Sequence, residues 1–184
     1  MNDVIKVIKS RRSIRSFLPD PIPECDLEAI LEAGTYAPSG HNEQSWHFTV
    51  IRNREIIKYM STKSKELMVR SDVDWIRRMG SIERLELTYK APVLVIVSGR
   101  KDAPSWREDC CASIQNMLLA AESLGIGSIW LTLITLLFND PGEAPKLGIP
   151  DIYQPYQGIA LGFKNPAKLY PVPERKLNII NYID

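Results

Sequence analysis

Two stretches carry residue types from which a binding site could be built. Arg11-Arg12-Ser13-Ile14-Arg15 places three guanidiniums and a hydroxyl within five residues, with no acidic side chain among them. Arginine is always charged and grips phosphate through paired N–H donors, and a serine hydroxyl adds a further donor. The second stretch is Ala37-Pro38-Ser39-Gly40-His41-Asn42-Glu43-Gln44-Ser45-Trp46. It sets short amide and hydroxyl side chains on a loop that ends at an aromatic. Together the two offer what a planar, hydrogen-bonding ligand with a phosphate tail requires. Each also has a plainer reading. Residues 2–12 read as a helix, so Arg11 and Arg12 fall in its last turn, where the macrodipole alone favours cations. A Ser-Gly-His-Asn sequence is ordinary loop chemistry, and His41 reads as a solvated loop histidine.

The elements that must position these stretches follow from composition and pattern. The chain has 184 residues, of which 45% are apolar and 24% charged, enough for one domain with a sizeable core. The formal net charge is +1, so the arginine cluster is a local feature that suits a small anion rather than nucleic acid or an anionic membrane. Three cysteines, Cys25, Cys110 and Cys111, are odd in number, and two are adjacent in a helical pattern. They read as reduced packing residues rather than a disulfide framework. Only two histidines are present, and no close Cys/His spacing suggests a metal site. No apolar run reaches signal-peptide or transmembrane length, so a cytoplasmic protein is expected.

Asn2 or Asp3 can cap a first helix whose Val4, Ile5, Val7 and Ile8 form one apolar face. Pro19, Pro21 and Pro23 impose an extended crossing. A second helix spans about 24–33, with Leu27, Ile30 and Leu31 inward and Gly34 as its stop. Residues 46–51 alternate as a half-buried strand, and Asn53 caps a third helix to about Val69. Residues 71–90 are helical in pattern but broken by Gly80. Their Trp75, Ile76 and Met79 are open to two readings, a mobile cover over a site or ordinary core. The continuous apolar run at 92–97 predicts a central strand. Ser105-Trp106-Arg107-Glu108 reads as a capping box that opens a long helix to Leu124, with Trp106 as a core anchor. Gly125 stops that helix, 127–131 and 157–163 are further strands, and 134–150 is turn-rich. The tail is rich in proline yet ends in Leu177, Ile179, Ile180, Tyr182 and Ile183, so an extended arm that buries itself on a partner is expected.

These segments resemble, in order, the motifs of the nitroreductase family of FMN-dependent oxidoreductases. RRSIRSF at 11–17 is similar to its opening motif, and APSGHNEQSW at 37–46 to its second, usually Ala-Pro-Ser-x-x-Asn-x-Gln-Pro-Trp. QNMLLAAESLGIGSIW, within 109–130, is similar to its central helix and glycine turn. LGF at 161–163, with the later Glu174-Arg175-Lys176, is similar to its C-terminal part. The resemblance implies an α+β fold, a small, mostly antiparallel sheet surrounded by helices. It implies a domain at 1–163 and an arm at 164–184 that crosses to the partner of an intertwined homodimer. FMN would lie at the subunit interface. By the motif match, Arg11, Arg12, Ser13 and Arg15 would hold its phosphate and pyrimidine edge. Pro38, Ser39, Gly40, Asn42 and Gln44 would come from the other chain. Ile129, Trp130 and Leu131 would lie along the ring, and Arg175, or else Lys176, would reach the phosphate. Ser45 replaces the usual proline, which is expected to loosen the loop before Trp46.

The implied chemistry needs no protein nucleophile and no metal, because the flavin N5 carries it. NADH or NADPH would deliver hydride on an exposed face, leave, and give place to a small planar acceptor of nitroaromatic or quinone type, a ping-pong cycle. Absence of a GxGxxG turn favours FMN over FAD. Three alternatives stay open: a related flavin enzyme with a dedicated substrate, of reductive dehalogenase or flavin-fragmenting type; a flavin storage module without turnover; and a nucleic-acid contact through RRSIR, which the neutral charge disfavours.

Overall fold

The computed structural model describes residues 1–168, 170–176 and 178–183. Four strands, β1 (Trp46–Ile51), β2 (Val93–Arg100), β3 (Ile126–Leu131) and β4 (Tyr153–Phe163), form an antiparallel sheet in the order β1-β2-β4-β3. β2 is therefore interior, as a strand with no polar face must be. Its Val93, Val95 and Val97 pack on one side with helices α2 (Glu24–Thr35) and α5 (Trp106–Ser123). Leu94 and Ile96 pack on the other with α3 (Arg54–Val69) and the 3-10 segment Leu133–Asn139. The α+β arrangement expected from the sequence is thus present, a small sheet between helical layers.

Local signals account for most boundaries. The Asn53 side chain accepts from the N–H groups of Glu55 and Ile56 and so caps α3. The Asn2 side chain does the same for Ile5 at the start of α1 (Asp3–Ser10). Gly125 ends α5 with a φ of +76°, a conformation that favours glycine. Cys110, Ile114, Met117, Leu118 and Ala121 form the buried face of α5, and Trp106 anchors its start edge-on to Tyr156.

Several expectations are corrected. Gly34 does not stop α2 but lies within it, where an added Cβ would sit 3.0 Å from Met117 Cγ and Ser113 Oγ and 3.2 Å from Phe48 Cζ. The glycine permits close α2–α5 contact. Ser105 precedes α5 but makes no side-chain capping bond; its hydroxyl abuts Gly40 instead. Only Asp74–Gly80 (α4) of the 71–90 stretch is helical, because turns take over after Gly80. Cys25 is exposed rather than packed, whereas Cys110 is buried. The expected apolar face of α1 is present and is left largely in water by this chain: Val4 is 64% and Ile8 47% exposed. Among the described residues no helix is long and apolar enough to cross a membrane.

Candidate functional site

The RRSIR segment is held against the sheet edge. Ile14 is buried, and its N–H donates to the Ser128 carbonyl at 3.0 Å, beside a parallel bridge between Ser13 and Ser128. With Ile14 inward, its neighbours face outward. Arg11, Arg12, Ser13, Arg15 and Arg175 line a cavity of about 380 Å³ together with Tyr170. The described lining contains no carboxylate, so the guanidiniums are uncompensated there. Arg12 Nη1 donates to the carbonyls of Lys9 and Arg11, both at 2.7 Å. This half of Arg12 serves the helix end, as the plainer reading held. Its Nε, however, is buried without a partner, a donor that a bound anion would satisfy. The cluster therefore fits a phosphate on the chemistry of its donors.

Arg15 joins this cavity to a second one. The second, about 230 Å³, is bounded by Arg15, by Ile129, Trp130 and Leu131, and by Trp75, Met79 and Tyr89. It is apolar and partly aromatic, the lining expected for a flat ring. Trp130 is held by its indole N–H, which donates to Gln157 Oε1 at 3.0 Å. Trp75 is 55% exposed and lines this cavity, whereas Ile76 packs against the core and Met79 does both, so α4 combines a cavity wall with core packing.

Residues 38–44 line neither cavity. Pro38, His41, Asn42 and Gln44 are exposed, and Ser39 and Gly40 are half-buried. The structure therefore gathers Arg11, Arg12, Ser13, Arg15 and Arg175 around one cavity and Ile129, Trp130 and Leu131 around the adjoining one. It leaves Pro38, Ser39, Gly40, Asn42 and Gln44 on another part of the same chain's surface. Ser45 does not loosen the loop. It is buried, and its hydroxyl donates to Asp109 Oδ2 at 2.7 Å. Among the described residues no group of three or more His, Cys, Asp or Glu is placed to hold a metal.

With this geometry in view, known proteins give a consistent comparison. The family described as "Nitroreductase family" matches residues 8–163. The chain belongs to the nitroreductase family. A nitroreductase with bound FMN from Bacteroides fragilis superposes with a TM-score of 0.91 at 37% identity, covering 100% of both chains. A protein of Archaeoglobus fulgidus named "Putative NADH dehydrogenase/NAD(P)H nitroreductase" is 33% identical over 180 residues, 95% of this chain and 94% of its own. An iodotyrosine deiodinase of Thermotoga neapolitana is 28% identical over 172 residues, 84% of this chain and 92% of its own.

Two residues that hold these segments in this nitroreductase-family chain were not singled out from the sequence. The Tyr170 hydroxyl accepts from the Arg15 backbone N–H at 3.1 Å and closes one wall of the arginine cavity. No periodicity marks an extended arm, so nothing local singled it out. Asp109 is buried in α5 and bonded to the 38–45 loop. Its signal was present: positions 106, 109, 110, 113, 114 and 117 recur at helical spacing, which puts Asp109 on the inward face.

Proposed function

We propose that the chain is an FMN-dependent NAD(P)H oxidoreductase that reduces a small planar acceptor. The observation that carries this reading is the pair of cavities that share Arg15, one lined by arginines without a carboxylate in its described lining and the other largely apolar and partly aromatic. Arg11, Arg12, Ser13 and Arg175 would hold the phosphate of FMN. Ile129, Trp130 and Leu131 would support the ring. Bound FMN supplies the two-electron chemistry that couples nicotinamide oxidation to acceptor reduction. Arg15, at the junction, is placed to offset negative charge that builds at the pyrimidine edge. Trp75 and Met79 restrict the entrance and limit water. A small planar acceptor of quinone or nitroaromatic type would stack on the open face of the ring once the nicotinamide has left.

The functional unit in this reading is a homodimer. Support comes from apolar surface left in water by one chain, in three stretches of which the first two overlap at Val4. The first is the α1 face with Val4 and Ile8, the second a groove of about 530 Å³ lined by Val4, Val7, Tyr36 and Leu119, and the third the arm with Ile179, Ile180, Tyr182 and Ile183. The partner would also supply loop 38–45 to the ring, which accounts for its distance from the cavities. The unpaired cysteines are in keeping with a reducing, cytoplasmic setting. Steady-state kinetics with a nicotinamide and a quinone tests the reading. One open ring face requires parallel double-reciprocal lines, with acceptor competing against nicotinamide. Intersecting lines without competition would refute the shared place.

A further inference from the structure

Loop 38–45 stores backbone strain. Among the described residues five non-glycine residues have positive φ, and three of them are here: His41 at 52°, Asn42 at 58° and Gln44 at 45°. Such conformations persist only where the surroundings over-determine them. What surrounds this loop is the start of α5. Asp109 is 3% exposed, and each of its carboxylate oxygens takes one end of the loop. Oδ1 accepts the Gly40 N–H at 3.0 Å, and Oδ2 accepts the Ser45 hydroxyl at 2.7 Å. Gly40 can approach because it lacks a Cβ, which would stand 2.8 Å from Ser105 Oγ. The strained residues lie between the two tethered ends. Within the loop, the Gln44 N–H donates to Ser39 Oγ at 3.1 Å. On the far side the Arg100 N–H donates to the Ser45 carbonyl at 2.8 Å, and the Arg100 guanidinium pairs with Glu43.

A buried carboxylate is costly unless its oxygens are bonded. Both are bonded here, and the first turn of a helix further favours an anion. The cost of burying Asp109 is therefore offset while the loop keeps its shape, and Asp109 in turn ties both ends of the strained stretch to α5. We propose that Asp109 and Ser45 form a positioning pair that holds loop 38–45 in its strained conformation and so presents the exposed Asn42 and Gln44 to the FMN of the partner subunit. This rests on the assignment of the loop to FMN binding made above. Neither residue need touch the ligand. They act through the loop.

Full-length protein carrying Ser45→Ala, Asp109→Ala, both changes, or Asp109→Asn tests the pair by hydrogen exchange and by FMN titration. Asn keeps an acceptor for Gly40, and its amide can donate to a rotated Ser45 hydroxyl, so Asp109→Asn is the conservative variant. In Ser45→Ala and Asp109→Ala, amides of 39–45 should exchange faster while those of β2 are unchanged. FMN affinity should fall about tenfold, as for one lost charge-assisted bond. The double variant should be little worse than Asp109→Ala alone, and Asp109→Asn should recover most of the loss. If Ser45→Ala and Asp109→Ala both fold with wild-type exchange in 39–45 and wild-type affinity, the proposal is overturned. It is also overturned if Asp109→Ala speeds exchange uniformly across the chain. A wild-type chain that takes up no FMN, while Ser45→Ala still loosens the loop selectively, would support the pair and refute the functional reading.

Discussion

Arg15→Ala separates a ligand-binding arginine from a helix-capping one. Arg15 is exposed, its Nη1 makes only a 3.4 Å bond to the Ser13 carbonyl, and it lines both cavities. Its side chain therefore contributes little to the fold, and surface replacements of this kind stay within about 0.5 kcal/mol. A charge-assisted hydrogen bond to the ligand contributes about 1.5–3 kcal/mol, so FMN affinity should fall by about one to two decades. Arg12→Ala should behave differently. Its Nη1 bonds to the carbonyls of Lys9 and Arg11, and removing them costs about 1 kcal/mol of stability in addition to affinity. Fluorescence titration of FMN, paired with urea unfolding of each variant, resolves the two contributions. The affinity loss for Arg15→Ala should also shrink as salt rises, because the contact is exposed. An Arg15→Ala protein that unfolds more easily yet binds FMN as wild type does would refute the assignment and return the cluster to a helix-terminus role.

Other expectations test separate parts of the structure. Deleting residues 170–184 removes Tyr170, Arg175 and the apolar end of the arm, and should abolish both dimer and FMN retention; a truncated chain that sediments as a flavin-loaded dimer would contradict this. Gly34→Val forces a side chain against Met117, Ser113 and Phe48 and should destabilise by about 1–3 kcal/mol, seen as a lowered Tm. Lys146 and Tyr59 both donate to Glu143, which holds its carboxyl below the usual carboxylate range. That stability is present above the ordinary carboxylate pKa and is lost as pH falls through the lower folded value. The gap between wild type and Glu143→Gln in chemical unfolding should thus be present at neutral pH and close in acid.

Legibility in the sequence followed the strength of the local signal. β1 was readable because apolar and polar residue types alternate over 46–50, although its burial does not, and β2 because an unbroken apolar run can only be interior. The α3 boundary was readable because Asn53 is a cap with a mechanism. Gly34 misled because a glycine near a helix end has two uses, as a stop and as room for a neighbouring helix, and only the α2–α5 packing distinguishes them. The α1 face was legible as apolar, but helical periodicity does not report which molecule covers it. At the site, the arginine cluster was legible from residue type alone. Its junction role at Arg15 was not, since it depends on Ile14 turning inward against Ser128. Ser45 was judged by its departure from a motif, whereas its effect depends on Asp109, 64 residues away.

Anaerobic mixing of the purified, FMN-loaded protein with NADH or NADPH tests the central claim most directly. The account predicts that at least one nicotinamide rapidly bleaches the visible absorbance of the bound flavin, and that adding a quinone restores it without release of FMN. A chain that binds FMN but leaves it oxidised for minutes with either nicotinamide would contradict the account and leave a flavin-binding module in its place.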